Sequence, residues 1–239
     1  MEKRKVSIVI PVYNEEKILE SAVKQLQKDL LSFEKDFDFE IILAENGSTD
    51  KTIEKGEELS KNDNSISIFH YEHPDYGLAL KEGIRRAKGE IVFSDEIDLC
   101  LPEFYEKALE EFKSNSVQMI VGSKRAKGAN DQRPFKRRFA TWVLNVMLKI
   151  ILGFKGTDTH GVKAFLKEPL MPVLDKCLIG KDIFASEFVI RAERMGIEIK
   201  EIPISLDEKR APSIKLMKRV PKVLSNIAYL FWNIRIKNR

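Results

Sequence analysis

Histidine and cysteine are scarce: His70, His73 and His160 are the only imidazoles, and Cys100 and Cys177 the only thiols. Two cysteines cannot build a disulfide framework, and these two do not have zinc spacing, which suits a reducing cytosol. No GxGxxG follows the first apolar run, and no GxxxxGK followed by Ser or Thr occurs anywhere. Glycine-cradled dinucleotide and P-loop chemistry therefore lack support. No window reaches the roughly 18–20 apolar residues that span a bilayer, and the start, MEKRKVSIVIPVYNEE, has too short an apolar run for a signal peptide. Net charge is only +4, so its total says little about partners. The 43% hydrophobic and 33% charged content fits an ordinary soluble protein and not a disordered one. The basic runs carry no recognised base-reading motif, so nucleic acid is not an expected partner.

What the chain does have is a cluster of carboxylates at the end of a short apolar run, EIVFSDEIDLCLP over 90–102. Ile91-Val92-Phe93 stops abruptly at Asp95, Glu96 and Asp98. Like charges delivered to one strand tip repel, and a divalent cation with hard oxygen ligands, Mg²⁺ or Mn²⁺, removes that cost. A plain acidic turn that caps the next helix is the competing reading.

Periodicity places the rest. Val6–Val12 reads as a strand covered on both faces, ended by Pro11 and followed by a helix that Asn14 can cap. Phe39–Ala44 is a second strand breaking into ENGSTD, and Lys51–Lys61 the helix after it. Ile66–Tyr71, ending near His70, is a third strand; Leu78–Lys88 is a helix, with Gly89 as its C-terminal glycine. Strands alternating with helices predict an α/β fold, a mostly parallel Rossmann-like sheet with flanking helices. Ligands bind beyond the carboxyl ends of such strands. That places Tyr13-Asn14-Glu15, Glu45-Asn46 and Glu96–Asp98 along one rim.

SIVIPVYNEE, EIILAENGSTDKT and YGLALKEGIRRAKGEIVFSDEIDL, in this order over about 100 residues, resemble the N-terminal half of family 2 glycosyltransferases with the GT-A fold. The polyprenyl- and dolichyl-phosphate sugar synthases are the most similar branch. IVGSKRAKG, GTDTHGVKAF, FASEFVIRAERMGIEIKEIPI and KRAPSIKL extend the likeness more weakly. The resemblance implies inverting transfer from a UDP- or GDP-sugar. It implies that Pro11, Tyr13, Glu15, Glu45, Asn46 and Asp95 lie at the nucleotide. Its DxD metal motif falls on Glu96-Ile97-Asp98, an ExD version, seven residues after Gly89. Cys100 stands where a glutamine often follows, and a soft thiol is a poor ligand for Mg²⁺. Asp98, Asp158 and Glu187 are the implied catalytic carboxylates. Asp158 falls near the acceptor phosphate or the donor sugar, and Glu187 is either a sugar contact or a helix-surface partner of Arg191.

An ionised acceptor phosphate needs no strong general base, which agrees with the shortage of histidine. Arg125, Arg210 and Lys215 are candidate acceptor-phosphate contacts, from two basic segments: Lys124–Arg138 with seven basic residues, and Lys209–Arg239 with nine. Phe139–Phe154 is apolar nearly all round and, at about 1.5 Å per residue, spans roughly 24 Å, short of a bilayer core of about 30 Å. Lys136, Arg137 and Arg138 precede it. A basic cluster joined to such a helix reads as an interfacial element at the cytoplasmic face of a membrane, with packing into the core as the alternative. Val220–Arg239 repeats the pattern, with Pro221 at a helix start. The expected organisation is a catalytic domain over 1–206, with an interfacial helix over 133–154, and a basic amphipathic segment over 207–239.

Overall fold

A computed structural model describes residues 3–72, 74–113, 116–180, 182–206 and 216–237. In chain order its strands are β1 (Arg4–Val12), β2 (Phe37–Glu45), β3 (Ile66–His70), β4 (Ile91–Ser94), β5 (Met119–Ser123), β6 (Asn130–Asp131), β7 (Lys163–Leu166), β8 (Ile199–Pro203) and β9 (Ser205–Leu206). The helices are α1 (Leu19–Leu30), α2 (Thr52–Asn62), α3 (Tyr76–Arg86), α4 (Pro102–Lys113), α5 (Phe135–Met147), α6 (Lys167–Lys176), α7 (Phe184–Arg194) and α8 (Leu216–Leu230).

Seven strands form one sheet in the order β3-β2-β1-β4-β7-β5-β8. The neighbours β3, β2, β1 and β4 are parallel, and β7 alone runs against both β4 and β5. β6 and β9 make a separate two-stranded pair. The β-branched run of β1 is buried on both faces. Val6, Ile8, Ile10 and Val12 pack with α1 and α4, while Val9 joins the opposite core beside α3, α6 and α7. Each such buried side chain contributes roughly 1.5–3 kcal/mol, which is why the centre of the sheet reads as unbroken hydrophobic sequence.

Three local expectations are corrected. Asn14 does not cap α1, which starts at Leu19 behind Ile18 with no side-chain cap; Asn14 has φ +55, a left-handed conformation that asparagine tolerates. Gly89 is not the end of α3, whose C-cap is Ala87. Gly89 is required for close approach: a Cβ there would lie 2.5 Å from the Ser7 nitrogen. Pro221 lies inside α8 and not at its start. The apolar helix, expected over 133–154, begins at Phe135 and continues through π-helical turns over Leu148–Leu152 to Gly153, whose φ of +76 ends it. Among the described residues, no helix is long and apolar enough to cross a membrane.

α8 packs back onto the body. Ile227, Leu230 and Ile234 are buried in the same core as Leu148, Leu152 and Phe154. Its other side, like the outer face of α5, leaves large apolar groups in solvent. Phe135, Phe139, Trp142 and Ile150 are exposed on one helix, and Leu224, Tyr229 and Trp232 on the other.

Candidate active site

Strand register brings the predicted loops together. Val12 pairs with Glu45, Glu45 with His70, and Val9 with Ser94, so four parallel strands end at one rim. Side chains stitch the first two loops into a unit. The Asn14 N–H donates to Ser48 Oγ (2.9 Å), and Asn14 Oδ1 accepts from the Thr49 N–H (2.8 Å). The Glu15 N–H donates to Thr52 Oγ1 (2.7 Å), and Lys55 Nζ to the Glu16 carbonyl (2.7 Å). Tyr13 stands exposed above this block and Pro11 is buried beneath it. Glu45 is fully buried, its carboxylate accepting from the Ser48 N–H and bonding the His70 ring. Asn46 Nδ2 donates to the Val12 carbonyl (3.1 Å). Thus both residues of the Glu45-Asn46 pair shape the loop from inside.

The acidic loop after β4 divides its carboxylates between two directions. Asp95 is buried, accepting from the Glu96 N–H and from Tyr105 Oη on α4, each at 2.7 Å. Its carboxylate therefore faces the core and not the rim. Burial raises it, and despite the Tyr105 and Glu96 bonds it is pushed up to about 7, with Glu96 and Asp98 adding to the rise. Glu96 and Asp98 point outward and are exposed. Glu96 is raised too, first by desolvation in the concave rim and then by Asp98. Two outward carboxylates that repel, with hard oxygen donors and open coordination space, fit a divalent cation that takes its remaining ligands from water and phosphate. Among the described residues no group of three or more His, Cys, Asp or Glu could hold a metal unaided. Cys100 Sγ is turned toward the Glu96 and Ile97 carbonyls at 3.8 and 4.0 Å.

Asp95 makes stability depend on pH. In the unfolded chain its pKa is about 4, and in the folded protein about 7. The native state thus holds the extra proton in this window, and stability falls as pH rises from about 4 to about 7. Asp95→Asn keeps an oxygen for the Glu96 N–H and offers an amide to Tyr105. It should flatten that slope in urea unfolding across the window, whereas an unchanged slope would assign the effect to other groups.

Beneath the rim lie two lysines that sequence reading did not single out. Lys124 follows β5, is buried, and pairs through Nζ with Asp158 Oδ2 at 3.1 Å. Lys163 opens β7 opposite Ser94, is buried, and donates to the Gly161 carbonyl at 2.7 Å. Burial, with Lys124 beside it, lowers Lys163 to about 8, although Asp158, Glu96 and Asp95 act the other way. Burial would raise Asp158, but Lys124 and the His160 N–H outweigh it and hold the carboxyl at about 2. His160 lies between the Thr159 and Ser186 hydroxyls (3.0 and 3.4 Å), and burial lowers it to about 4, so its ring is neutral at pH 7. Tyr76 closes the group. Burial, then Glu96 and Asp95, push its hydroxyl upward. The available signal for Lys163 was a lone charge inside an apolar strand run, GVKAFL.

The remaining predicted residues separate. Asp158 joins this cluster. Glu187 does not reach the rim surface: it is fully buried, accepting from the Leu178 and Ile179 N–H groups (2.9 and 2.8 Å) and from Arg191 Nε (2.7 Å). The helix-surface pair is therefore corrected to a buried one. Arg125 is exposed beside Lys124. Arg210, Lys215 and His73 lie outside the described residues. Arg137, near the start of α5, is close enough for its charge to lower Glu96.

The family model described as Glycosyl transferase family 2 matches residues 7–171. Glycosyltransferase AglD of Haloferax volcanii is 27% identical over 237 residues, which is 98% of this chain and 38% of that protein; the chain thus spans well under half of that relative. Dolichyl-phosphate beta-glucosyltransferase ALG5A of Trichomonas vaginalis is 27% identical over 221 residues, 88% of this chain and 68% of that protein. Glucosyl-3-phosphoglycerate synthase from Mycobacterium tuberculosis, solved with Mn²⁺, UDP-glucose and phosphoglyceric acid, superposes with a TM-score of 0.63 at 18% identity, covering 96% of this chain and 79% of the other. Mannosyltransferase PcManGT from Pyrobaculum calidifontis, solved with GDP-Man and Mn²⁺, gives 0.57 at 18% identity, with 88% and 59% covered. At these identities the structural likeness establishes the fold, GT-A, and the sheet order agrees with it.

Proposed function

Because this chain belongs to glycosyl transferase family 2, we propose that it moves a sugar, with inversion, from a UDP- or GDP-sugar to a polyprenyl or dolichyl phosphate at the cytoplasmic face of a membrane. The observation that carries this reading is the position of α5. Phe135, Phe139 and Trp142 stack along its exposed face, with centroids 6.2 and 5.7 Å apart. Lys136, Arg137 and Arg138 lie among them, and the charge of Arg137 reaches Glu96 in the acidic rim. An aromatic and basic helix suits an anionic headgroup layer. Its basic start then brings the phosphate of a membrane-bound acceptor to the site of transfer.

Glu96 and Asp98 would hold Mg²⁺ or Mn²⁺, which when bound supplies Lewis-acid neutralisation of the leaving diphosphate. The stitched loops bearing Tyr13, Glu15, Glu45 and Asn46 bind the nucleotide. Asp158 and Lys124 fix the floor between them. Lys163 keeps a positive charge under the acidic loop, which lowers the cost of gathering carboxylates and phosphates at one point. The acceptor phosphate is ionised near neutral pH, so its oxygen attacks without a histidine base.

Purified protein should transfer label from UDP-glucose or GDP-mannose into the organic phase when given dolichyl phosphate and metal. It should also pellet with anionic liposomes and not with neutral ones. Donor consumption with an empty organic phase would move the acceptor to a glycan or small molecule. Nucleotide binding with no consumption would leave a catalytically silent binding protein.

A further inference from the structure

A cavity of about 540 Å³ opens at the C-terminal end of α7, and none of its described lining residues belongs to the acidic rim. Arg194, on its wall, lies seven residues beyond Glu187, about 10 Å along the helix axis. Lys155, Lys176 and Arg235 converge on the same space from three other segments, and Glu193 is the one carboxylate among the described lining residues. That carboxylate is engaged, accepting from the Lys155 N–H at 3.1 Å. Among the described residues, Lys155, Lys176 and Arg194 have no acidic partner. Gly153 leaves room for the Arg235 guanidinium, since a Cβ there would lie 3.2 Å from Arg235 Nη2.

Helix dipoles explain part of this pattern. Lys176 and Arg194 sit in the last turns of α6 and α7, where a cation gains about 0.3–1 kcal/mol. Arg235 likewise sits in the last turn of the helical residues that continue α8, but the dipoles do not explain Lys155, which is on no helix, or the convergence of these cations on one void. Cations gathered round a hollow repel one another, and an anion with several oxygens relieves that repulsion through charge-assisted hydrogen bonds.

We propose that this cavity binds a phosphate-bearing anion, at a site separate from the acidic rim. The ligand is either the headgroup of an anionic lipid or a soluble phosphate compound, and the chemistry of recognition is the same for both. The proposal does not rest on the identity of the sugar acceptor.

Pyrophosphate is titrated by calorimetry into the full chain in EDTA, which removes metal-bridged binding at the rim, and comparison with a cavity variant isolates the share bound in the cavity. Binding should weaken by about tenfold or more in Lys155→Ser/Arg194→Ser, which removes two charge-assisted contacts. Pelleting with phosphatidylglycerol vesicles, against phosphatidylcholine as control, separates the sources. If the double variant pellets several-fold less than wild type, the ligand is a lipid headgroup; if only the pyrophosphate affinity changes, it is a soluble compound. Equal behaviour of wild type and variant in both measurements overturns the proposal. Both substituted side chains are exposed and off the rim, so the unliganded melting temperature and the metal-dependent transfer rate to detergent-dispersed dolichyl phosphate should stay at wild-type values. A wild type that binds pyrophosphate but transfers no sugar to lipid would sink the acceptor reading and leave this site standing.

Discussion

Asp98→Asn is expected to lower sugar transfer by about 100-fold or more, the scale on which an electrostatic contact to developing charge is felt. The substitution is isosteric, Asp98 is exposed, and among the described residues it makes no hydrogen bond that holds the loop. Folding should therefore be unaffected, and the loss should appear in kcat/KM at saturating metal with an unchanged melting temperature. Glu96→Gln should show the same pattern. It also removes a carboxylate whose protonation is favoured first by desolvation and then by Asp98, so the acid limb of the pH profile of the remaining activity should move to lower pH. Retention of activity within a few-fold of wild type in both variants would move the metal away from this pair.

Glu187→Ala should lower stability by about 3–5 kcal/mol, because it leaves the Arg191 guanidinium buried without its carboxylate. Glu187 is 0% exposed and Arg191 4%, so water cannot compensate for the missing partner. The N–H groups of Leu178 and Ile179 lose their acceptor as well. This segment leads to Gly180, whose carbonyl lies where a Cβ on Gly77 would be, 1.9 Å away. Gly77 follows Tyr76 beside the acidic loop. Loosening 178–180 should therefore raise KM for the donor in addition to lowering the urea midpoint. A double replacement, Glu187→Met with Arg191→Met, should recover most of the stability, as apolar groups of similar volume do for buried pairs, but not the KM. A loss of kcat with normal stability would instead make Glu187 a group that touches substrate.

The legible part of this protein was the part governed by local periodicity. Val6–Val12, Phe39–Ala44 and Ile91–Phe93 announce parallel strands by continuous apolar runs, and the loop chemistry after each puts the rim in view. What was not legible depends on contacts between distant segments. Asn14 is a good helix cap by type, yet it spends its side chain on Thr49, 35 residues away. Glu45 reads as a rim acid at the nucleotide, but β3 brings His70 to it and closes it off from water. Lys163 stands in a run whose strand could be read, but its charge is tolerated because β4 brings Asp95 and Glu96, and the turn before β7 brings Asp158, to its side. Pairing that is local in space and remote in sequence leaves no periodic trace.

The reversed strand β7 has a consequence for the order of folding. Until β7 is inserted, β4 is the edge of a four-stranded parallel sheet, and β5 has no neighbour on that side. Pairings of such high sequence separation form slowly, after the local βαβ units. Because β7 runs antiparallel, its first residue and the turn before it, Asp158–Gly161, are what reach the rim. The emerging chain can thus complete the nucleotide side of the site before it has synthesised the floor. It must shield an apolar edge strand, Ile91–Ser94, through that interval.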